Sequence, residues 1–165
     1  MLLCYRDEGK FDYFTFRYFH DIVFDISSNS YNFYPGHGAT KLDLPIALYE
    51  SWGREYCVIL DSDKEGKEQQ TRYIKELSND THIFTLLNID SRFKLFTTEK
   101  LFSEDEKIKI SKIFNPSLNT YNKSAFNTGI QILLSQKTIP DFLSQETKDN
   151  FHRIFEFLEA KFSKQ

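Results

Sequence analysis

The feature that most constrains the fold is an apolar run at residues 56–60 that leads directly into acidic residues. The run is apolar throughout, as expected for a central strand of a parallel sheet that is covered on both faces. Asp61, Ser62 and Asp63 follow it, and the polar stretch beyond them predicts a helix that ends near residue 77. A buried strand that turns into a helix is the building block of α/β proteins, so we predict this fold class.

Other apolar runs alternate with helical patterns in the first part of the chain. The remaining strands and helices of this part are predicted at residues 2–5, 10–23, 31–34, 40–52 and 82–87. After them, a short strand is predicted at residues 92–96, and helices at residues 104–114, 119–134 and 145–162. Alternating strands and helices favour a parallel sheet with right-handed crossovers. We predict one compact domain, with an α/β core over residues 1–90 and a helical extension over residues 91–165 packed on it.

The composition limits how the chain can bind a polyanion. The formal net charge is −3, whereas a protein that holds nucleic acid through its own surface usually has a marked basic excess. Any such binding is therefore expected to be local, bridged by metal ions or assisted by a partner. The 17 Phe and 9 Tyr residues suggest an aromatic-filled interior rather than a surface for stacking bases.

Cysteine usage and hydropathy indicate the compartment. Cys4 and Cys57 both lie in predicted strands and no signal-peptide pattern is found, so we expect buried, reduced thiols rather than a disulfide. No apolar run reaches the roughly 20 residues needed to cross a bilayer. These features predict a soluble, cytoplasmic protein with no membrane association.

Acidic residues follow two of the predicted strands. Glu8 lies just past the first strand with Asp12 four residues later, and Asp61 and Asp63 follow the central strand. Because the carboxyl ends of parallel strands meet at one edge of the sheet, we expect these four side chains to converge there. Four carboxylates so close together would repel each other unless a cation neutralised them. Hard oxygen ligands suit Mg²⁺ or Mn²⁺, so the pattern predicts a metal site.

Each of these residues also has a simpler explanation. Asp61 and Asp63 could merely cap the following helix, and Asp12 could be a solvated acid favoured by the helix dipole. Gly66, the third residue after Asp63, permits a tight backbone and a close approach of phosphate. His37, between two glycines, could act as a general acid, but we interpret it as an exposed turn residue. The acids are more specific as an ordered set than any of them is alone.

Two stretches of the chain resemble a Toprim domain, the fold shared by topoisomerases, bacterial primases and several nucleases. Residues 8–12 read Glu-Gly-Lys-Phe-Asp, and residues 61–66, after the apolar strand, read Asp-Ser-Asp-Lys-Glu-Gly. Over nearly its whole length the chain is similar to the nuclease half of the OLD-family (overcoming lysogenization defect) ATP-dependent endonucleases. That family has a glycine-rich turn after the second strand, which residues 35–38 match. The resemblance implies an open, mainly parallel, Toprim-like four-stranded sheet flanked by helices.

The same resemblance implies a two-metal hydrolysis of phosphodiester bonds. Glu99 matches an acidic position of the family, and Lys123 matches a lysine that would stabilise negative charge at the scissile phosphate. The implied ligands of the two Mg²⁺ or Mn²⁺ ions are Glu8, Asp12, Asp61, Asp63 and Glu99. The implied catalytic residues are Glu8, Asp61, Asp63 and Lys123. The implied substrate-binding residues are Gly36, Gly38, Gly66 and Lys123.

The predicted function is therefore cleavage of DNA in prokaryotic defence against phages or plasmids, with RNA left open as a substrate. The family's nuclease half usually follows an ATPase domain, whereas this chain has no GxxxxGK[ST] phosphate loop. We expect the ATPase on a missing domain or a separate subunit, unless the chain acts without one. A homo-oligomer is also left open.

Three alternatives accompany this prediction. The chain could be a catalytically degenerate Toprim module that docks on an ATPase, with the apolar stripe of the last helix as its interface. A Toprim site could also serve polymerisation or strand passage, although no single tyrosine stands out for the latter. Finally, residues 6–7 separate the first strand from Glu8, so Asp7 is an alternative to Glu8.

Overall fold

A computed structural model describes residues 2–5, 11–26, 31–35, 42–77 and 82–162 of the 165-residue chain. The strands are β1 (Leu2–Tyr5), β2 (Asn32–Pro35), β3 (Tyr56–Leu60) and β4 (Ile83–Thr85). The α-helices are α1 (Phe11–Tyr18), α2 (Asp43–Ser51), α3 (Lys64–Leu77), α4 (Leu86–Ile89), α5 (Glu104–Phe114), α6 (Lys123–Gln136) and α7 (Gln145–Phe162). Helix α1 continues into a π-helical segment, Phe19–Val23, and short 3-10 helices span Ser91–Phe93 and Thr98–Leu101.

The described strands form one parallel sheet in the order β2-β1-β3-β4. Tyr5 pairs in register with Ile59 of β3 and with Pro35 of β2, and Leu60 pairs with Thr85 of β4. All carboxyl ends therefore lie at one edge, which we call the carboxyl edge. The predicted α/β class is confirmed, and so is the central position of residues 56–60, whose side chains are all buried.

Strand β3 supplies the interior on both faces of the sheet because successive side chains of a strand point to opposite sides. Cys57 and Ile59 join a large apolar cluster on one face. Val58 and Leu60 join a smaller cluster on the other face. Buried members of the large cluster include Phe16, Phe19, Phe126, Phe151 and Phe155. That cluster takes residues from both the predicted α/β core and the predicted helical extension. Many of these residues are phenylalanines, so the phenylalanine-rich composition reflects this shared interior.

The apolar stripe of α7 belongs to this core. Phe151, Ile154, Phe155 and Leu158 are almost completely buried, and the ring of Phe151 stacks on Phe19 with 3.7 Å between centroids. The suggestion that this stripe is a docking interface is therefore wrong. No helix in the described part of the chain is both long and apolar enough to cross a membrane.

Two predicted strands differ in the structure. Strand β4 ends at Thr85, because Asn88 Oδ1 accepts a hydrogen bond from the Thr85 N–H at 2.7 Å and starts helix α4. The strand predicted at residues 92–96 is wrong. Asp90 Oδ1 accepts from the Arg92 N–H at 2.9 Å and starts a 3-10 turn, and Leu95 has a positive φ of 60°. In both places a local side-chain cap outcompetes the apolar pattern.

Helices α5 and α6 touch at Gly129. A Cβ atom at this position would lie 2.2 Å from the carbonyl oxygen of Ile110. We therefore expect Gly129→Ala to lower the free energy of unfolding by about 2 kcal/mol, the usual cost of overpacking, as measured by urea denaturation. The exposed Ser135→Ala on the same helix is the control and should change it by less than about 0.5 kcal/mol. Equal stability of the two variants would contradict this packing.

Candidate functional site at the carboxyl edge

Asp61 is held at the carboxyl edge by a segment far along the chain. It directly follows β3 and is only 2% exposed. Its Oδ1 atom accepts a hydrogen bond from the Thr98 N–H at 3.1 Å. The Ser62 N–H donates to the Phe96 carbonyl at 2.8 Å, and Ser62 Oγ accepts from the Leu87 N–H at 2.5 Å. The turn after β3 is thus attached to residues 96–98 and to the start of α4.

Asp63 and Gly66 shape the same turn. Asp63 Oδ1 accepts from the Gly66 N–H at 2.7 Å, so this carboxylate caps the first turn of α3. A Cβ atom on Gly66 would lie 2.1 Å from the backbone oxygen of Asp61. The glycine therefore allows α3 to start in direct contact with the end of β3. This packing accounts for Gly66, while its contact with substrate stays a prediction.

Glu99 and Lys123 form an ion pair, and Glu99 follows the residue that binds Asp61. Lys123 Nζ lies 3.0 Å from Glu99 Oε1, and the side chains of Lys123 and Glu99 are 47% and 13% exposed. Glu99 is the neighbour of Thr98, whose N–H binds Asp61. Lys123 is the first residue of α6, where Asn122 Oδ1 caps the helix by accepting from the Ala125 N–H at 2.9 Å. Residues from three distant parts of the chain therefore meet at this edge.

Asp12 belongs to the same region. It is 8% exposed in the first turn of α1, which packs against α6. The pKa of Tyr121 is raised to about 12, mainly by burial and next by the negative charge of Glu99. The positive charge of Lys123 lowers this pKa, and the charges of Glu104 and Asp12 raise it. The charges of Glu99, Lys123 and Asp12 therefore all act on the Tyr121 phenol, so these side chains share one region of the protein. Sequence reasoning missed Tyr121, because no pattern separates it from the other eight tyrosines.

The described residues do not form a complete metal site by themselves. Across residues 2–5, 11–26, 31–35, 42–77 and 82–162, no three acidic, histidine or cysteine side chains come close enough to hold an ion together. The donor chemistry nevertheless fits a hard cation, since Asp12, Asp61, Asp63 and Glu99 all offer carboxylate oxygens. Mg²⁺ in such sites is commonly bound by one or two carboxylates together with water and substrate oxygens.

The remaining predicted site residues lie outside the described part of the chain. They are Glu8 with its alternative Asp7, the two turn glycines Gly36 and Gly38, and His37. What the structure brings together is Asp61, Thr98, Glu99 and Lys123, with Asp12 nearby. No protein-family model, curated protein or solved structure matches the chain.

Proposed function

We propose that this chain is a nuclease that hydrolyses DNA phosphodiester bonds with Mg²⁺ or Mn²⁺ at a Toprim-like site. The observation that carries the proposal is the hydrogen bond from the Thr98 N–H to the Asp61 carboxylate, because the next residue in the chain, Glu99, pairs with Lys123. Asp61 and Asp12 are both buried acids. Burying a carboxylate is costly unless a cation compensates its charge, which supports a site that binds metal.

Each residue then has a defined task. Asp61 would hold a cation together with Glu8 and Asp63, and Asp12 and Glu99 would hold a second one. A cation bound there lowers the pKa of the attacking water and stabilises the leaving oxygen. The Thr98 N–H keeps the Asp61 carboxylate oriented, and Glu99 positions the Lys123 ammonium. Lys123 would neutralise the charge that develops on the phosphate.

The partners are part of the same proposal. The net charge of −3 argues against strong binding of DNA through the whole surface. An ATPase domain or subunit that delivers DNA to this site would supply that affinity, in a cytoplasmic defence system of the OLD type. RNA is the alternative polymer, and assays with both polymers decide between them.

The direct test is cleavage of supercoiled plasmid by the purified full chain. We expect nicked or linear product with Mg²⁺ or Mn²⁺, and none when EDTA is added in excess. Cleavage that persists in EDTA would refute the metal dependence. Failure to cleave plasmid, single-stranded DNA or RNA with either metal, with and without ATP, would favour the docking module described below.

Lys123 offers a second test. Lys123→Met removes the charge that faces Glu99 and keeps most of the side-chain length. We expect kcat for cleavage to fall about 100-fold, the order typical of one group that stabilises transition-state charge, while KM changes little. Lys123→Arg should retain more activity. The exposed Lys75→Met on α3 is the control, and equal rates for the two methionine variants would exclude a catalytic role for Lys123.

One observation favours a docking module as the second candidate. Leu44 and Leu48 on α2 are 69% and 38% exposed, and Trp52, the residue directly after α2, is 64% exposed. Residues four apart on a helix lie on the same face, and exposed apolar patches of this kind mark protein contacts. This function would be supported if the wild type binds a partner ATPase without cleaving nucleic acid. Trp52→Glu should then abolish that binding.

A further inference from the structure

Leu95 combines two unfavourable features on the surface of the protein. Its side chain is 52% exposed, and its φ of 60° lies in the left-handed region that non-glycine residues rarely adopt. Branched aliphatic side chains are poor candidates for this conformation, because it brings Cβ close to the following carbonyl. A strained residue persists only where its surroundings hold it in place.

Three hydrogen bonds hold the Leu95 turn in place. The Phe96 N–H donates to the Phe93 carbonyl at 3.1 Å, and Lys100 Nζ donates to the Leu95 carbonyl at 2.8 Å. The carbonyl of Phe96 accepts from the Ser62 N–H at 2.8 Å. Ser62 is the residue after Asp61, so the turn that carries the exposed leucine is attached to the segment that carries the proposed catalytic carboxylate.

The segment around Leu95 is basic in a protein of net negative charge. Residues 91–103 contain the cations Arg92, Lys94 and Lys100, all exposed, and one acid. That acid, Glu99, is largely buried in its pair with Lys123. Arg92 is paired with Asp90 at 2.8 Å, and Glu146 and Asp149 also act on its charge. Lys94 and Lys100 therefore supply the remaining positive charge at the turn. A leucine flanked by cations suits a nucleic acid, because its bases have apolar faces and its phosphates are negatively charged.

We propose that Leu95 is a wedge that enters a base step of duplex DNA next to the scissile phosphate. This inference rests on the proposed nuclease function. Apolar side chains inserted in this way unstack adjacent base pairs and kink the duplex, while nearby cations contact the phosphates. Unstacking opens the backbone toward Asp61, and Leu95 thereby acts as a positioning residue that is specific for double-stranded substrate.

The experiment compares Leu95→Ala, Leu95→Gly and Leu95→Met with the wild type. Leu95→Gly removes the wedge and also the backbone strain, so its melting temperature should equal or exceed that of the wild type. For the alanine and glycine variants we expect cleavage of duplex DNA to fall about tenfold or more, as for one lost productive contact. Cleavage of single-stranded DNA should be unchanged, and Leu95→Met should restore most of the duplex activity. Ile139→Ala, at a branched aliphatic residue whose side chain is 43% exposed, is the matched control.

A binding readout separates this inference from the nuclease proposal. Short duplexes with 2-aminopurine in place of each adenine in turn are bound in Ca²⁺, and base unstacking raises their fluorescence. We expect a rise with the wild type and with Ile139→Ala, and none with Leu95→Gly. That pattern would support the wedge even if no cleavage occurred. An unchanged ratio of duplex to single-strand cleavage in Leu95→Gly, or a fluorescence rise equal to that of the wild type, would overturn it while metal-dependent cleavage still stood.

Discussion

Asp61→Asn is expected to reduce metal-dependent cleavage of plasmid DNA by about a thousandfold, the upper end for one preorganised polar group. Asparagine keeps the side-chain oxygen that accepts from the Thr98 N–H, so the attachment of residues 96–98 remains. What disappears is the negative charge that would hold a cation at the end of β3. The melting temperature of the variant should therefore stay close to that of the wild type.

Initial rates over a range of Mg²⁺ and Mn²⁺ concentrations measure this effect. Glu68→Gln is the control, because its carboxylate is exposed on the outer side of α3 and pairs only with Lys64 among the described residues. Wild-type rates for Asp61→Asn with an unchanged metal requirement would exclude Asp61 as a metal ligand. A large fall in melting temperature would show instead that the charge of Asp61 supports the fold.

The second large effect is expected at Glu106, which ties the start of α5 to the start of α7. Its carboxylate is buried and accepts from the Ser144 N–H at 2.7 Å, the Thr147 hydroxyl at 2.7 Å and the Ser103 N–H at 2.8 Å. Glu106→Ala leaves three donors without their acceptor, which should cost about 3 kcal/mol in the free energy of unfolding. The exposed Asp105→Ala in the same turn should cost less than about 1 kcal/mol.

The Glu106 contribution should also depend on pH. Burial alone would raise the pKa of Glu106, but the hydrogen bonds from Thr147, Ser144 and Ser103 outweigh burial and lower it below its ordinary value of 4.5. The folded protein then holds the proton less tightly than the unfolded chain. The stabilisation is therefore complete above the unfolded pKa and is lost as pH falls through the folded one.

Unfolding of the wild type and of Glu106→Ala at a series of pH values tests the direction of this pH dependence. The gap in free energy between them should be constant above about pH 5.5 and should narrow as the medium becomes more acidic. Other carboxylates contribute to both proteins and cancel in the difference. A gap that widens at low pH would contradict the arrangement of donors around Glu106.

Much of the sheet could be predicted from local patterns. The apolar run at residues 56–60 became the central strand β3, because a strand buried on both faces must be apolar at every position. The acids after that run necessarily lie at the carboxyl edge once the neighbouring strands are parallel. The helical stripe of α7 likewise became core through its periodicity.

The tertiary structure alone decided which side chains meet. The hydrogen bond between Asp61 and Thr98 joins residues that are 37 positions apart in the chain. The ion pair of Glu99 and Lys123 joins a 3-10 turn to the start of a helix. No periodicity encodes such contacts, since they depend on how helices pack on the sheet. The same holds for Tyr121, which acquires its charged surroundings only through packing. Sequence by itself determined the strand and its acids through short-range patterns of polarity, whereas the assembly of the site followed from long-range packing of the folded chain.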